Sequence, residues 1–141
     1  MISNIQNFFK DYDFNFVLLF GSYLTKKFHP LSDIDIGIYT RDLLSIKETG
    51  YISAKLESIL YKKVDIISLY KIEQKDPNFA FNILKNHKVI HLNDRDSYID
   101  FKKRVQLSYL DHKDLIEQNI KYLKKRVEKN SFARRNFVAQ D

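Results

Sequence analysis

The 141-residue chain contains no cysteine, no tryptophan, one methionine, two prolines and three glycines. Without cysteine there is no disulfide framework and no thiolate metal site, and the default reading is a cytoplasmic protein. So few glycines and prolines predict that most of the chain is regular structure, and each glycine then calls for a reason. No apolar run approaches the ~20 residues that cross a bilayer, which argues against an integral membrane protein. The opening stretch MISNIQNFFKDYDF is acidic early and lacks the apolar core and small-residue cleavage site of a secretion signal.

The composition, 44% hydrophobic and 30% charged, is that of a globular protein, and the length suits one core. The net charge of +6 is uneven. Residues 1–94 carry 12 Lys/Arg against 11 Asp/Glu, whereas 95–141 carry 12 against 7. A basic tail suits a solvated face, an acidic protein partner or nucleic acid, but no nucleic-acid motif accompanies it, so direct nucleic-acid binding is not expected.

Hydrophobic periodicity predicts a short helix over 2–11, a strand buried on both faces over 14–20 (FNFVLLF), and a helical turn over 22–30 that His29-Pro30 ends. A second strand follows at 33–39 (DIDIGIY), then a helix at 44–61 with Gly50 a weak point, and a third strand at 63–69 (KVDIISL). Asp76 before Pro77 predicts a helix start for 77–87, and VIHL at 89–92 a short fourth strand. From 96 to 129 neither glycine nor proline occurs, and Ile99, Val105, Tyr109, Ile116, Ile120, Leu123 and Val127 recur at helical spacing. That predicts one long helix, or two broken near Leu110 to His112, with SFARRNFVAQD frayed beyond it. A single helix of that length would span about 50 Å, too long to rest wholly on its own domain. The surplus stripe therefore folds back, pairs with a second copy or meets a partner.

Asp33 and Asp35 interrupt an isoleucine run, where an ionised carboxylate is costly unless something positive compensates it. Residues two apart on a strand share a face, so these two acids point together while Ile34 and Ile36 enter the opposite layer. Two carboxylates can bracket a divalent cation, and Asp65 could add a third if its strand is a neighbour. Hard oxygen ligands suit magnesium, and paired ions favour in-line displacement at phosphorus. The competing reading of the pair is an exposed strand edge. Upstream, Gly21-Ser22 leaves a buried strand for a helical turn, where backbone N–H groups and the Ser22 hydroxyl can meet phosphate oxygens. Neither a P-loop nor a dinucleotide fingerprint is present. Lys26, Lys27, His29, His87 and His91 are read as surface, turn or capping residues.

Gly21-Ser22, ten residues, then Asp33-Ile34-Asp35, with Asp65 on a later strand, resembles the GS-x10-DxD signature of the nucleotidyltransferase superfamily related to DNA polymerase beta, and within it the minimal nucleotidyltransferase (MNT) branch. The resemblance covers roughly residues 1–92. It implies an α+β nucleotidyltransferase fold, a mixed sheet of about four strands flanked by helices, with a minimal domain over 1–94 and a long helical extension over 95–141 as partner or dimer interface. It implies catalytic and metal-binding roles for Asp33, Asp35 and Asp65, the last as ligand or base, two Mg2+ ions, and nucleotide binding by Gly21 and Ser22 with ATP as substrate. MNT proteins are commonly encoded beside HEPN ribonuclease toxins, and some transfer AMP to a toxin tyrosine. The expected function is thus that of an AMP-transferring antitoxin with a HEPN toxin partner. The alternatives are inhibition by occlusion alone, or transfer to a small molecule or nucleic acid. The R-x4-H-x-Y motif of the toxin itself is absent.

Overall fold

The structure is a computed structural model that describes residues 1–24 and 33–140, with side chains as far as Glu128. Lys26, Lys27, His29 and most of the turn expected at 22–30 lie outside the described residues. Chain order is α1 (Ile2–Phe9), β1 (Phe16–Phe20), a 3-10 turn (Ser22–Leu24), β2 (Ile34–Tyr39), α2 (Ile46–Leu60), β3 (Val64–Ser68), α3 (Ile72–Lys75), α4 (Pro77–Lys85), β4 (His87–Leu92) and α5 (Arg95–Gln140). Among the described residues, no helix is long and apolar enough to cross a membrane.

Local chemistry explains the helix boundaries. Ser45 accepts a hydrogen bond from the Glu48 amide at 3.1 Å, the side-chain half of a capping box, and α2 then runs straight through Gly50 to a left-handed Tyr61. Gly50 meets nothing in space and costs the helix only its own backbone freedom. At α4, Asp76 accepts from the Phe79 amide at 3.1 Å with Pro77 in the first turn, as the sequence predicts.

The strands form one mixed sheet in the order β3-β2-β1-β4, β1 running antiparallel to both neighbours and β2 parallel to β3. The strands of the DIDIGIY and FNFVLLF stretches are central, which is why both faces of β1 are buried. Val17, Leu19, Ile34, Ile36 and Ile38 pack against α1 and α2; Phe16, Leu18 and Phe20 pack with Leu69, Ala80, Ile83, Phe101 and Val105 beneath α3, α4 and α5. Two apolar layers thus sandwich the sheet.

The α3–α5 layer carries a buried acid that sequence periodicity does not mark. Glu73, 5% exposed, receives the Arg104 Nε at 3.3 Å, while Arg104 Nη2 donates to the Tyr39 hydroxyl at 2.9 Å and Ser108 Oγ donates to the Glu73 carbonyl at 2.6 Å. The second carboxylate oxygen of Glu73 is buried without a partner among the described residues. Arg104 is therefore the compensating charge for Glu73, and Arg104→Met, which keeps most of the stem's packing, should cost about 1–3 kcal/mol, below the full value for a buried pair because the guanidinium is partly exposed. A lowered urea midpoint at unchanged slope checks this; an unmoved midpoint would show that Glu73 does not depend on its cation.

Helix α5 is a single element of 46 residues with no break near Leu110 to His112, and it continues to Gln140 through the end expected to fray. Its first turns belong to the domain: Phe101 and Val105 are buried, and Tyr109 stacks on Phe81 with ring centroids 3.9 Å apart. Beyond that point Leu110, Leu115, Ile116, Ile120, Leu123 and Val127 are all exposed.

Candidate active site

Antiparallel pairing sets Asp35 opposite Phe20 at the end of β1, and parallel pairing sets it beside Asp65 on β3. Asp33 immediately precedes β2, two residues from Asp35 and on the same side by strand alternation. The three acids thus line one end of the sheet, on the face that α4 and α5 cover further down. All three are half-buried. Just below Asp35 the face is closed: a side chain built at Gly37 would come within 2.9 Å of Leu69, so the glycine is the notch into which that leucine packs.

Gly21 has φ +87, in the left-handed region that L side chains avoid, and a Cβ placed on it would overlap Asp35 Oδ2 and lie 3.1 Å from Asp35 Cγ. The absence of a side chain at this glycine is thus what lets the bend after β1 lie against the Asp35 carboxylate. Ser22 follows in the 3-10 turn, where the Leu24 amide bonds back to the Gly21 carbonyl at 3.1 Å.

Burial pushes the Asp35 carboxyl above its ordinary value, and the charges of Asp65 and then Asp33 push it the same way. No hydrogen bond or ion pair to a described residue relieves any of the three carboxylates. Such a cluster is destabilising by itself and calls for a cation. Among the described residues no group of three acidic or histidine side chains is drawn together closely enough to hold an ion unaided. Magnesium does not require that: it is bound through one or two carboxylates, with water and substrate phosphate completing its shell. The donor chemistry of Asp33, Asp35 and Asp65 therefore fits it.

A cavity of about 300 Å³ opens beside the acids, walled by Phe20, Gly21 and Asp35 from the sheet side and by Phe79, Asn82 and Asn86 from the α4 side. Sequence reasoning missed this wall, since one asparagine late in an otherwise ordinary helix and another just past its end carry no signal. A larger cavity, about 650 Å³, lies at the opposite end of the sheet around Asn15, Arg41 and Asp94, away from the acids. His87, at the start of β4, bonds to the Leu84 carbonyl at 2.9 Å through Nδ1 and to the Tyr98 hydroxyl at 2.6 Å through Nε2, so it ties α4 to α5.

Acids gathered beside a glycine bend on a mixed sheet define a candidate centre for phosphoryl or nucleotidyl transfer. Residues 3–96 match the family described as polymerase beta, nucleotidyltransferase. That is well over half of the chain, and the chain belongs to that family. Among solved structures, a toxin–antitoxin crystallised with AMP-PNP aligns with TM-score 0.67 at 23% identity, covering 84% of this chain and 94% of that one. The toxin–antitoxin MntA-HepT aligns with TM-score 0.61 at 21% identity, covering 84% and 92%. A tri-AMPylated HEPN toxin in complex with MNT antitoxin, from Shewanella oneidensis, aligns with TM-score 0.61 at 21% identity, covering 85% and 95%. These likenesses establish a shared fold. No match was found among curated proteins.

Proposed function

We propose that this chain is the antitoxin of a HEPN toxin and acts by transferring AMP from ATP to a tyrosine of that partner. The observation that carries the reading is the convergence of Asp35 and Asp65 across β2 and β3, with Asp33 on the same side and Gly21 closing behind Asp35. The similar fold of a complex whose toxin is AMPylated supports the choice of acceptor.

In the transfer, the tyrosine oxygen forms a bond to the α-phosphorus of ATP as the bond from that phosphorus to the bridging oxygen breaks, and pyrophosphate leaves with the electron pair. Asp65 takes the phenolic proton. Gly21 and Ser22 position the triphosphate, and Gly21 holds Asp35 in place. Asp33 and Asp35 would hold magnesium, which neutralises charge on the phosphate oxygens when bound, and Asp65 stays off the metal to act as the base.

The partner would dock on the outer half of α5, where an exposed stripe of Ile116, Ile120, Leu123 and Val127 is accompanied by Lys121, Lys124, Lys125 and Arg126. A stripe of this kind suits an apolar helical face bordered by acids. Replacing both Ile120 and Leu123 with glutamate should weaken complex formation with the toxin at least about tenfold, since two buried anchors are lost, while leaving the free chain's melting temperature unchanged. Equal affinity of the variant would place the interface elsewhere.

The direct test incubates the chain with ATP labelled at the α-phosphate, magnesium and the toxin encoded beside it. Label on a toxin tyrosine is the expected result. Tight inhibition of the toxin with no label transferred would establish occlusion instead, and label on an antibiotic or RNA end would establish a different acceptor.

A further inference from the structure

We propose that the cavity between Asp35 and α4 is the nucleoside subsite, with Asn82 and Asn86 gripping the sugar and base of the bound nucleotide. The inference rests on the nucleotidyl-transfer reading and adds where the nucleoside half of the substrate goes.

Position comes first. Asp35 is a wall of this cavity as well as a member of the acidic cluster. A nucleotide whose α-phosphate is handled at the acids has its sugar attached directly to that phosphate, and the adjoining space is this one.

The lining decides what that space accepts. Among the described residues that line it, the Asp35 carboxylate is the one charged side chain, and it would repel a phosphate group placed beside it. A neutral, polar, flat group meets a different reception. Phe20 and Phe79, whose rings stand edge to face with centroids 6.1 Å apart, and Ile83 provide apolar surface. Asn82, in the last turn of α4, and Asn86, the non-helical residue that caps its C-terminus, both line the cavity. Neither carboxamide makes a hydrogen bond to another described residue. Each offers two donors and one acceptor without charge, the set that matches ribose hydroxyls and the mixed donor and acceptor edge of a base such as adenine. About 300 Å³ lies at the lower end of small-molecule sites, in keeping with part of a nucleotide.

The test uses the full chain with magnesium, titrated by calorimetry with ATP, 2′-deoxy-ATP, GTP and CTP, and assayed for transfer to the toxin with each. Alanine is a better helix former than asparagine, so Asn82→Ala keeps α4, and the Asn86 side chain at the C-cap makes no hydrogen bond to a described residue that the double variant Asn82→Ala/Asn86→Ala would remove. The double variant should bind ATP on the order of tenfold more weakly, the sum of two lost hydrogen bonds, and should lose most of the wild type's discrimination among these nucleotides. Narrowed discrimination between ATP and CTP would assign the carboxamides to the base, and narrowed discrimination against 2′-deoxy-ATP to the ribose; either supports the subsite. Wild-type affinity and wild-type ratios in the double variant, with transfer intact, would overturn the subsite and leave nucleotidyl transfer standing. A wild-type chain that binds none of the four would overturn both.

Discussion

Asparagine in place of Asp35 should lower AMP transfer by on the order of 10³-fold, the scale on which loss of a charge stabiliser at a transferring group operates, while making the metal-free chain more stable at neutral pH. The two effects have one cause. Burial, then Asp65, then Asp33 raise the Asp35 carboxyl above its ordinary 3.8, so the folded chain binds that proton more tightly than the unfolded chain does. Where the folded state holds the extra proton, stability falls as pH rises. The fall begins near 3.8 and is complete once pH passes the higher folded value, so at neutral pH the wild type carries the whole penalty of an ionised Asp35. Asparagine has almost the same shape and no charge to desolvate. The check is a set of thermal melts of wild type and Asp35→Asn at pH 4 and pH 7.5, with and without magnesium. The variant should melt higher than wild type at pH 7.5 without magnesium, differ less at pH 4, and lose the rise in melting temperature that magnesium gives the wild type. A variant that melts lower at neutral pH, or that still transfers label, would show that Asp35 is a structural acid with a partner of its own.

How much of this was legible beforehand depends on the range of each signal. Period-two alternation is local, so the shared face of Asp33 and Asp35, and the burial of Ile34 and Ile36 opposite them, follow from the run DIDIGIY alone. The cap at Asp76 is equally local. That Asp65 stands beside Asp35 depends on β2 and β3 being parallel neighbours, which no stretch of either strand declares; only the family resemblance anticipated it. The Glu73 network was illegible because its parts are dispersed: YKIEQKDP reads as a polar connection, and the arginine that makes burial of Glu73 tolerable comes 31 residues later on α5. In α5 the open choice between one helix and two fell to one, since nothing in the sequence from Leu110 to His112 breaks a helix. Asn82 and Asn86 became visible only when folding carried α4 against the sheet end that holds Asp35.

The second large effect is expected at Gly21, and it separates a glycine retained for its backbone from one retained for the space above it. Alanine there meets two independent penalties. The left-handed φ of +87 costs an L residue about 1–2 kcal/mol, and the new methyl overlaps the Asp35 carboxylate, which must turn from its position or push β1 from β2. Gly21→Ala should therefore lower stability by about 2–3 kcal/mol in total, strain and displacement together, and cut transfer by at least about 100-fold, because a small misplacement of a reacting site is enough to do so. Steric and backbone contributions part in a double-mutant cycle with Asp35→Ala. Truncating Asp35 removes Oδ2 and Cγ and leaves its Cβ 3.3 Å from the added methyl, a tight but tolerable contact. If the overlap matters, the cost of Gly21→Ala shrinks by about half in the Asp35→Ala background, leaving the backbone part; if only the backbone matters, the two substitutions add. Full additivity in urea denaturation would remove Asp35 from the reasons for this glycine, and with it the claim that the bend after β1 is what aims the central carboxylate at its neighbour on β3.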